Sequence, residues 1–135
     1  MNLEDFKEDL VKQDKGSPCY VNRDSDACFF VRRADGADYV KEIEEITQQL
    51  YGFDRANVDH NLVIAWWLSE YGCTGWENLY SAGENLEYSK VNARLTFHNP
   101  SYFLSLNPLL LQHARDYNNY LFDAANKEVE EIKKS

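Results

Sequence analysis

The sequence predicts a mainly α domain, a small helical fold of about five helices with one N-terminal β-hairpin, on three observations. Apolar residues recur at helical spacing in successive stretches bounded by capping residues or glycines. The run LVIAWWL, Leu62 to Leu68, is apolar nearly all round and marks the most buried helix. Two aromatic and β-branched runs, Cys19-Tyr20-Val21 and Ala27 to Val31, flank the cluster Asn22 to Asp26 in the pattern of a hairpin.

Each element follows in order. Leu3, Phe6 and Leu10 give a short amphipathic helix, which Lys15-Gly16-Ser17-Pro18 breaks. The hairpin comes next; a lone hairpin is marginal in water, so it has to pack on helices. If it is centred on Arg23-Asp24, Cys19 and Cys28 fall opposite each other, and a reducing compartment keeps them as thiols. After Asp35-Gly36, the residues Val40, Ile43, Ile46/Thr47 and Leu50 repeat at helical spacing, and Gly52 closes that helix. A further helix starts near Asp54 or Asn57 and runs to Tyr71, where Gly72 stops it. Residues 72–88 read as a punctuated loop. Ser89 caps a short helix through Val91, Leu95 and Phe97. Asn99-Pro100 and Asn107-Pro108 both read as a cap followed by proline in the first turn. The last helix carries Leu110, Ala114, Tyr117, Leu121 and Ala124. Residues 1–126 are expected to form a single domain, and 127–135 (KEVEEIKKS) a charged, frayed tail.

Composition narrows the function classes. The chain has 135 residues, a net charge of −9 and a pI near 4.7. Adjacent basic pairs occur only at Arg32-Arg33 and Lys133-Lys134, which disfavours nucleic acid. The charge is uneven: residues 1–52 hold 12 acidic and 7 basic side chains, a net of −5. No apolar run approaches the ~20 residues of a membrane span. The start MNLEDFKEDL carries acids where a signal peptide needs a basic stretch, so a cytoplasmic location is expected.

No catalytic constellation and no cofactor motif stands out. His60, His98 and His113 lie far from one another and from cysteine, without metal-ligand spacing. Cys73 sits near glycines with no His or Lys close in sequence, and the many glutamates read as solvated faces. The aromatic load of 14% is the salient feature. Trp and Tyr are favoured where proteins meet, because each buries much area and keeps one polar contact. Trp66, Trp76, Tyr88, Ser89 and Asn92 are assigned as structural anchors, with Trp76 pinning the 72–88 loop. Trp67, Tyr80 and the Tyr117/Tyr120 face are assigned as exposed partner-binding candidates. On that assignment, Trp67→Ala removes binding and leaves helicity unchanged.

The stretch Tyr71-Gly72, Gly75-Trp76-Glu77-Asn78-Leu79, then Gly83, Tyr88-Ser89-x-x-Asn92 and Leu95 to Asn99-Pro100 resembles the tail assembly chaperones of long-tailed bacteriophages (siphophage type). The likeness runs from about Ala65 to Phe122, with weaker agreement at Phe29, Val31 and Arg32. The turn departs from the family's usual Asp-Gly type and reads Tyr-Ser-Ala-Gly-Glu-Asn. The resemblance implies a non-catalytic factor, in the cytoplasm of the bacterial host and absent from the mature virion. It implies a tape measure protein and the major tail protein as partners, homo-oligomers, and a longer frameshifted form of the chain. The ending Ile132-Lys133-Lys134-Ser135 is compatible with A-rich slippery codons. Three other readings stay open: a small acidic inhibitor or immunity-type protein that binds a basic protein, a structural head-tail joining protein, and a small hydrolase with only Cys73 and scattered carboxylates to recommend it. An inhibitor would form a one-to-one, salt-sensitive complex; tape measure binding would be multi-copy and salt-tolerant.

Overall fold

The computed structural model describes residues 3–22 and 24–121; Arg23, Ala124 and the 127–135 segment lie outside them. A 3₁₀ turn at Leu3–Phe6 leads to helix α1 (Leu10–Lys15), then strands β1 (Ser17–Tyr20) and β2 (Cys28–Val31). Helix α2 (Ala37–Tyr51) and helix α3 (His60–Trp67) follow, and α3 continues as a π turn through Leu68–Gly72. Strand β3 (Cys73–Glu77) precedes a ribbon of β4 (Tyr80–Ser81) and β5 (Glu84–Asn85). Helix α4 (Lys90–Phe97), a 3₁₀ turn at Pro100–Tyr102, α5 (Leu106–Arg115) and a 3₁₀ turn at Tyr117–Tyr120 complete the order.

The fold is α+β, which corrects the mainly α expectation. Among the described residues, helix accounts for 53% and strand for 16%, and these residues form two antiparallel sheets, one of three strands in the order β1-β2-β3 and one of two. The N-terminal hairpin is present, but β3 extends it. Sequence alone hides β3, because Gly75 interrupts a five-residue strand whose flanking glycine reads as a loop signal. A bulge opposite Phe30/Val31 shifts its alternation by one residue, so that Cys73 and Trp76 both point inward while Thr74 and Glu77 face out. The supposed loop at 78–88 is likewise the β4–β5 ribbon. Its central residues, Ala82 and Gly83, both have positive φ (51° and 81°), the signature of a type I′ turn.

The core lies between one face of the three-stranded sheet and helices α3, α4 and α5. Phe29, Val31, Trp67, Leu68, Phe97 and Leu110 are fully enclosed there. Helix α2 joins through Ile46 and Thr47, while Val40 and Leu50, counted in the same apolar repeat, remain exposed. Side-chain caps fix most helix starts. Asp9 accepts from Val11 and Lys12 N–H, Asp59 from Asn61 and Leu62, and Ser89 from Asn92 at 3.0 Å. Asn107 is not a cap: α5 already begins at Leu106, and the buried Asn107 amide donates to the Phe97 carbonyl at 3.0 Å, tying α5 to the end of α4. The last helix is also shorter than expected. It ends at Arg115, and Asp116 caps the following 3₁₀ turn.

The hairpin register pairs Cys19 with Phe29 and Tyr20 with Cys28, so the two cysteines are offset by one residue and face opposite sides of the sheet. All three cysteines are free and buried. The two ends of the described chain meet: Asp9 N–H donates to the Tyr120 carbonyl at 2.7 Å, Lys12 Nζ to the Leu121 carbonyl at 3.0 Å, and Glu8 pairs with Leu121 in an isolated antiparallel bridge.

Candidate protein-binding groove

An apolar groove of about 570 Å³ opens between the β1–β2 connection, the ribbon and the α4–α5 corner. Its floor is Leu79, Leu86 and Leu106 with the enclosed Phe29 beneath them, and its rim carries Tyr80, Tyr102 and Leu109. Tyr80 is 65% exposed, and Leu104, beside the groove in sequence, is 84% exposed. A second depression of about 670 Å³, lined by Tyr20, His113, Arg115 and Asp116 among others, shares Val21 and Leu109 with it. The two depressions adjoin at these residues.

The groove walls are free of charge. No Asp, Glu, Lys or Arg occurs from Asn78 to Gly83, or from Asn99 to Gln112, in a chain of which 27% is charged. Depletion of charge with enrichment of aromatic side chains characterises the centres of protein interfaces. Exposed apolar surface concentrated in one place marks a docking site more strongly than scattered apolar residues do.

Trp76 holds one wall in place. Its ring packs edge-on against Phe29 at 5.9 Å, Tyr88 at 5.0 Å and Phe97 at 6.2 Å between centroids. Its indole N–H donates to the Leu86 carbonyl at 2.7 Å, which fastens the far end of the ribbon. The Tyr88 hydroxyl donates to the Cys73 carbonyl at 3.0 Å, and the Asn92 amide donates to the Glu87 carbonyl at 2.8 Å. Trp76, Tyr88, Ser89 and Asn92 thus form one continuous attachment of the ribbon to the sheet and to α4.

The exposed-aromatic assignment needs correction at two positions. Trp67 has no accessible surface: its ring is wedged under Gly72 and meets Tyr39 edge-on at 5.0 Å, and its N–H donates to Glu42 at 3.2 Å. Gly72, the last residue of the π turn, packs directly on this indole. Trp66 is the half-buried neighbour, set edge-on to His98 at 4.4 Å. Tyr120 is 1% exposed, with its hydroxyl donating to the Val31 carbonyl at 2.8 Å, whereas Tyr117 is 49% exposed. Tyr117 and Tyr120 therefore do not form one exposed face, because Tyr120, at the end of the 3₁₀ turn, is drawn into the core by its bond to Val31. Of the four candidates, Tyr80 lines the groove and Tyr117 is exposed outside it.

One pair of polar side chains escaped sequence reasoning. Ser69 Oγ donates to the Trp66 carbonyl and lies 3.2 Å from His98 Nε2. Their separation of 29 residues leaves no signal in the sequence. Ser69 is completely buried, so its oxygen cannot meet a substrate; the contact links the π turn to the end of α4. Burial also suppresses thiol chemistry, raising Cys73 to about 12 and, together with the neighbouring Cys28, Cys19 to about 11. Among the described residues no cluster of His, Cys, Asp and Glu could hold a metal ion, and no helix is long and apolar enough to cross a membrane.

Two histidines set a pH response. Burial holds both His98 and His113 below the ordinary 6.5; Glu70 opposes this at His98 and Asp116 at His113, while Arg94 adds to it at His98. A depressed histidine pKa means that the unfolded chain binds more protons below about pH 6.5, so stability falls as pH drops through that value toward the folded pKa values. Denaturant midpoints measured across this range should decline toward acid. The decline should be shallower in His98→Gln/His113→Gln, and an equal slope in that variant would refute the assignment.

Fold and surface together describe a small α+β domain that presents an uncharged apolar groove. No family model, curated protein or solved structure matches the chain.

Proposed function

We propose that this chain is a non-catalytic tail assembly chaperone of a long-tailed bacteriophage, acting in the host cytoplasm, whose groove holds an amphipathic segment of the tape measure protein and which helps recruit major tail protein. The observation that carries the proposal is the uncharged, tyrosine-rimmed groove on an otherwise strongly acidic molecule. The sequence resemblance supports it as well, because its motif positions Trp76, Tyr88, Ser89 and Asn92 are those that attach the groove's ribbon wall. A long helical protein exposes apolar stripes that aggregate unless covered, and a groove with charged surroundings covers them while staying soluble. Several copies per tape measure protein, and a longer frameshifted form of the chain, belong to the same proposal.

The test is affinity capture of the tagged chain from phage-producing cells, with partners identified by mass spectrometry. Recovery of one very long helical protein together with major tail protein is expected. Recovery of a basic nuclease alone would favour the acidic inhibitor instead, and virion joining proteins alone would favour a structural component. Tyr80→Ala should reduce capture of the long partner by about tenfold or more, as an exposed aromatic anchor does. Its folding stability should stay within about 0.5 kcal/mol of the parent. Undiminished capture would remove the groove from the mechanism.

A further inference from the structure

Given the groove-binding role proposed above, we infer that its occupant is an amphipathic α-helix carrying lysine or arginine along one edge of its apolar stripe. The walls favour a helix over an extended strand. A strand needs a sheet edge to satisfy its backbone, and β4 and β5 offer only two residues each. The groove is otherwise walled by side chains, and a helix arrives with its backbone already paired.

The charge pattern fixes the edge. On the side of the β1–β2 connection and the ribbon, Asp24, Asp26 and Glu84 are exposed, and none forms a salt bridge among the described residues. The two segments are tied together by the Asn78 amide, which donates to the Asp26 carbonyl at 3.3 Å, and each of the three acids stands within two residues of Asn22, Ala27, Ala82 or Leu86, which line that side of the groove. The opposite wall, Asn99 to Gln112, has no charge at all. One flank of the groove therefore selects cations while the other is indifferent. A second copy of this chain, with a net charge of −9, would bring its own acids to that rim and is disfavoured.

The inference is tested with two synthetic helical peptides that share one leucine stripe and differ along one edge, lysine in the first and glutamate in the second. Affinities for the full chain are read by fluorescence anisotropy at low and high salt. The lysine peptide should bind about tenfold tighter at low salt, with the gap narrowing as salt screens the rim. The gap should also collapse in Asp24→Asn/Asp26→Asn/Glu84→Gln, whose exposed substitutions leave the fold intact. Tyr80→Ala should weaken both peptides. Equal affinities, both weakened by Tyr80→Ala, would overturn the charge selection and leave groove binding standing. Tighter binding of the glutamate peptide, or binding indifferent to Tyr80→Ala, would also overturn the inference. Failure of both peptides to bind would overturn the groove reading itself, and this inference with it.

Discussion

Trp67→Ala is expected to lower the unfolding free energy by about 3–5 kcal/mol, the usual cost of truncating a fully enclosed aromatic side chain. The indole is completely buried. Removing it opens a cavity under the π turn, takes the edge-on contact from Tyr39, and leaves Glu42 without the indole N–H. Glu42 itself is largely buried and pairs with Arg32 at 3.1 Å, whose guanidinium also donates to the Tyr71 carbonyl. The loss therefore spreads through a connected network. Trp67→Phe keeps much of the packing and drops the hydrogen bond, so a cost of about 1–2 kcal/mol is expected. Urea unfolding followed by near-UV circular dichroism measures both. An unchanged midpoint for Trp67→Ala would contradict the burial. The sequence expectation that this substitution spares helicity is reversed: binding and helicity should fall together.

Gly72→Ala should be nearly as damaging, at about 3 kcal/mol, the upper part of the range for overpacking. A Cβ at this position would lie 2.4 Å from the Trp67 ring, and ring atoms of a clamped indole are not the free end of a flexible side chain. The backbone conformation is not the obstacle; the contact is. Because the clash is with one named ring, the two substitutions must be non-additive. In a Trp67→Leu background, Gly72→Ala should cost markedly less than in the parent, and a double-mutant cycle reads the difference. Strict additivity would show that Gly72 is needed for a reason other than the indole.

How much was legible depended on the range of the signal. Caps such as Asp59 and Ser89 lie next to the helices they start, so the central helices were readable to within a few residues. The hairpin was readable because its two runs alternate around polar residues. Strand β3 was not. Its identity depends on β2, more than forty residues earlier in the chain, and only the inward placement of Cys73 and Trp76 against Val31 and Phe29 makes CTGWE a strand. The Trp66-Trp67 pair was undecidable for the same kind of reason. Adjacent helical positions differ by about 100°, so one side chain has to turn outward, and only Gly72 and Glu42 determine which. The groove was half legible: Tyr80 and Trp76 stood out by type, but the uncharged run from Asn99 to Gln112 became a wall only when α5 was placed beside the ribbon.

The clasp between the ends of the described chain has a kinetic consequence. Lys12 reaches Leu121 across 109 positions, and Tyr120 reaches Val31 across 89, so the first strands and the first helix gain their last partners only when the far end arrives. Such separations raise the cost of loop closure in the transition state and slow folding relative to a simple helical bundle. A nascent chain cannot finish the N-terminal half and then add the rest. The Val31 carbonyl and the start of α1 are expected to gain their distant partners only when Tyr120 and Leu121 have been made.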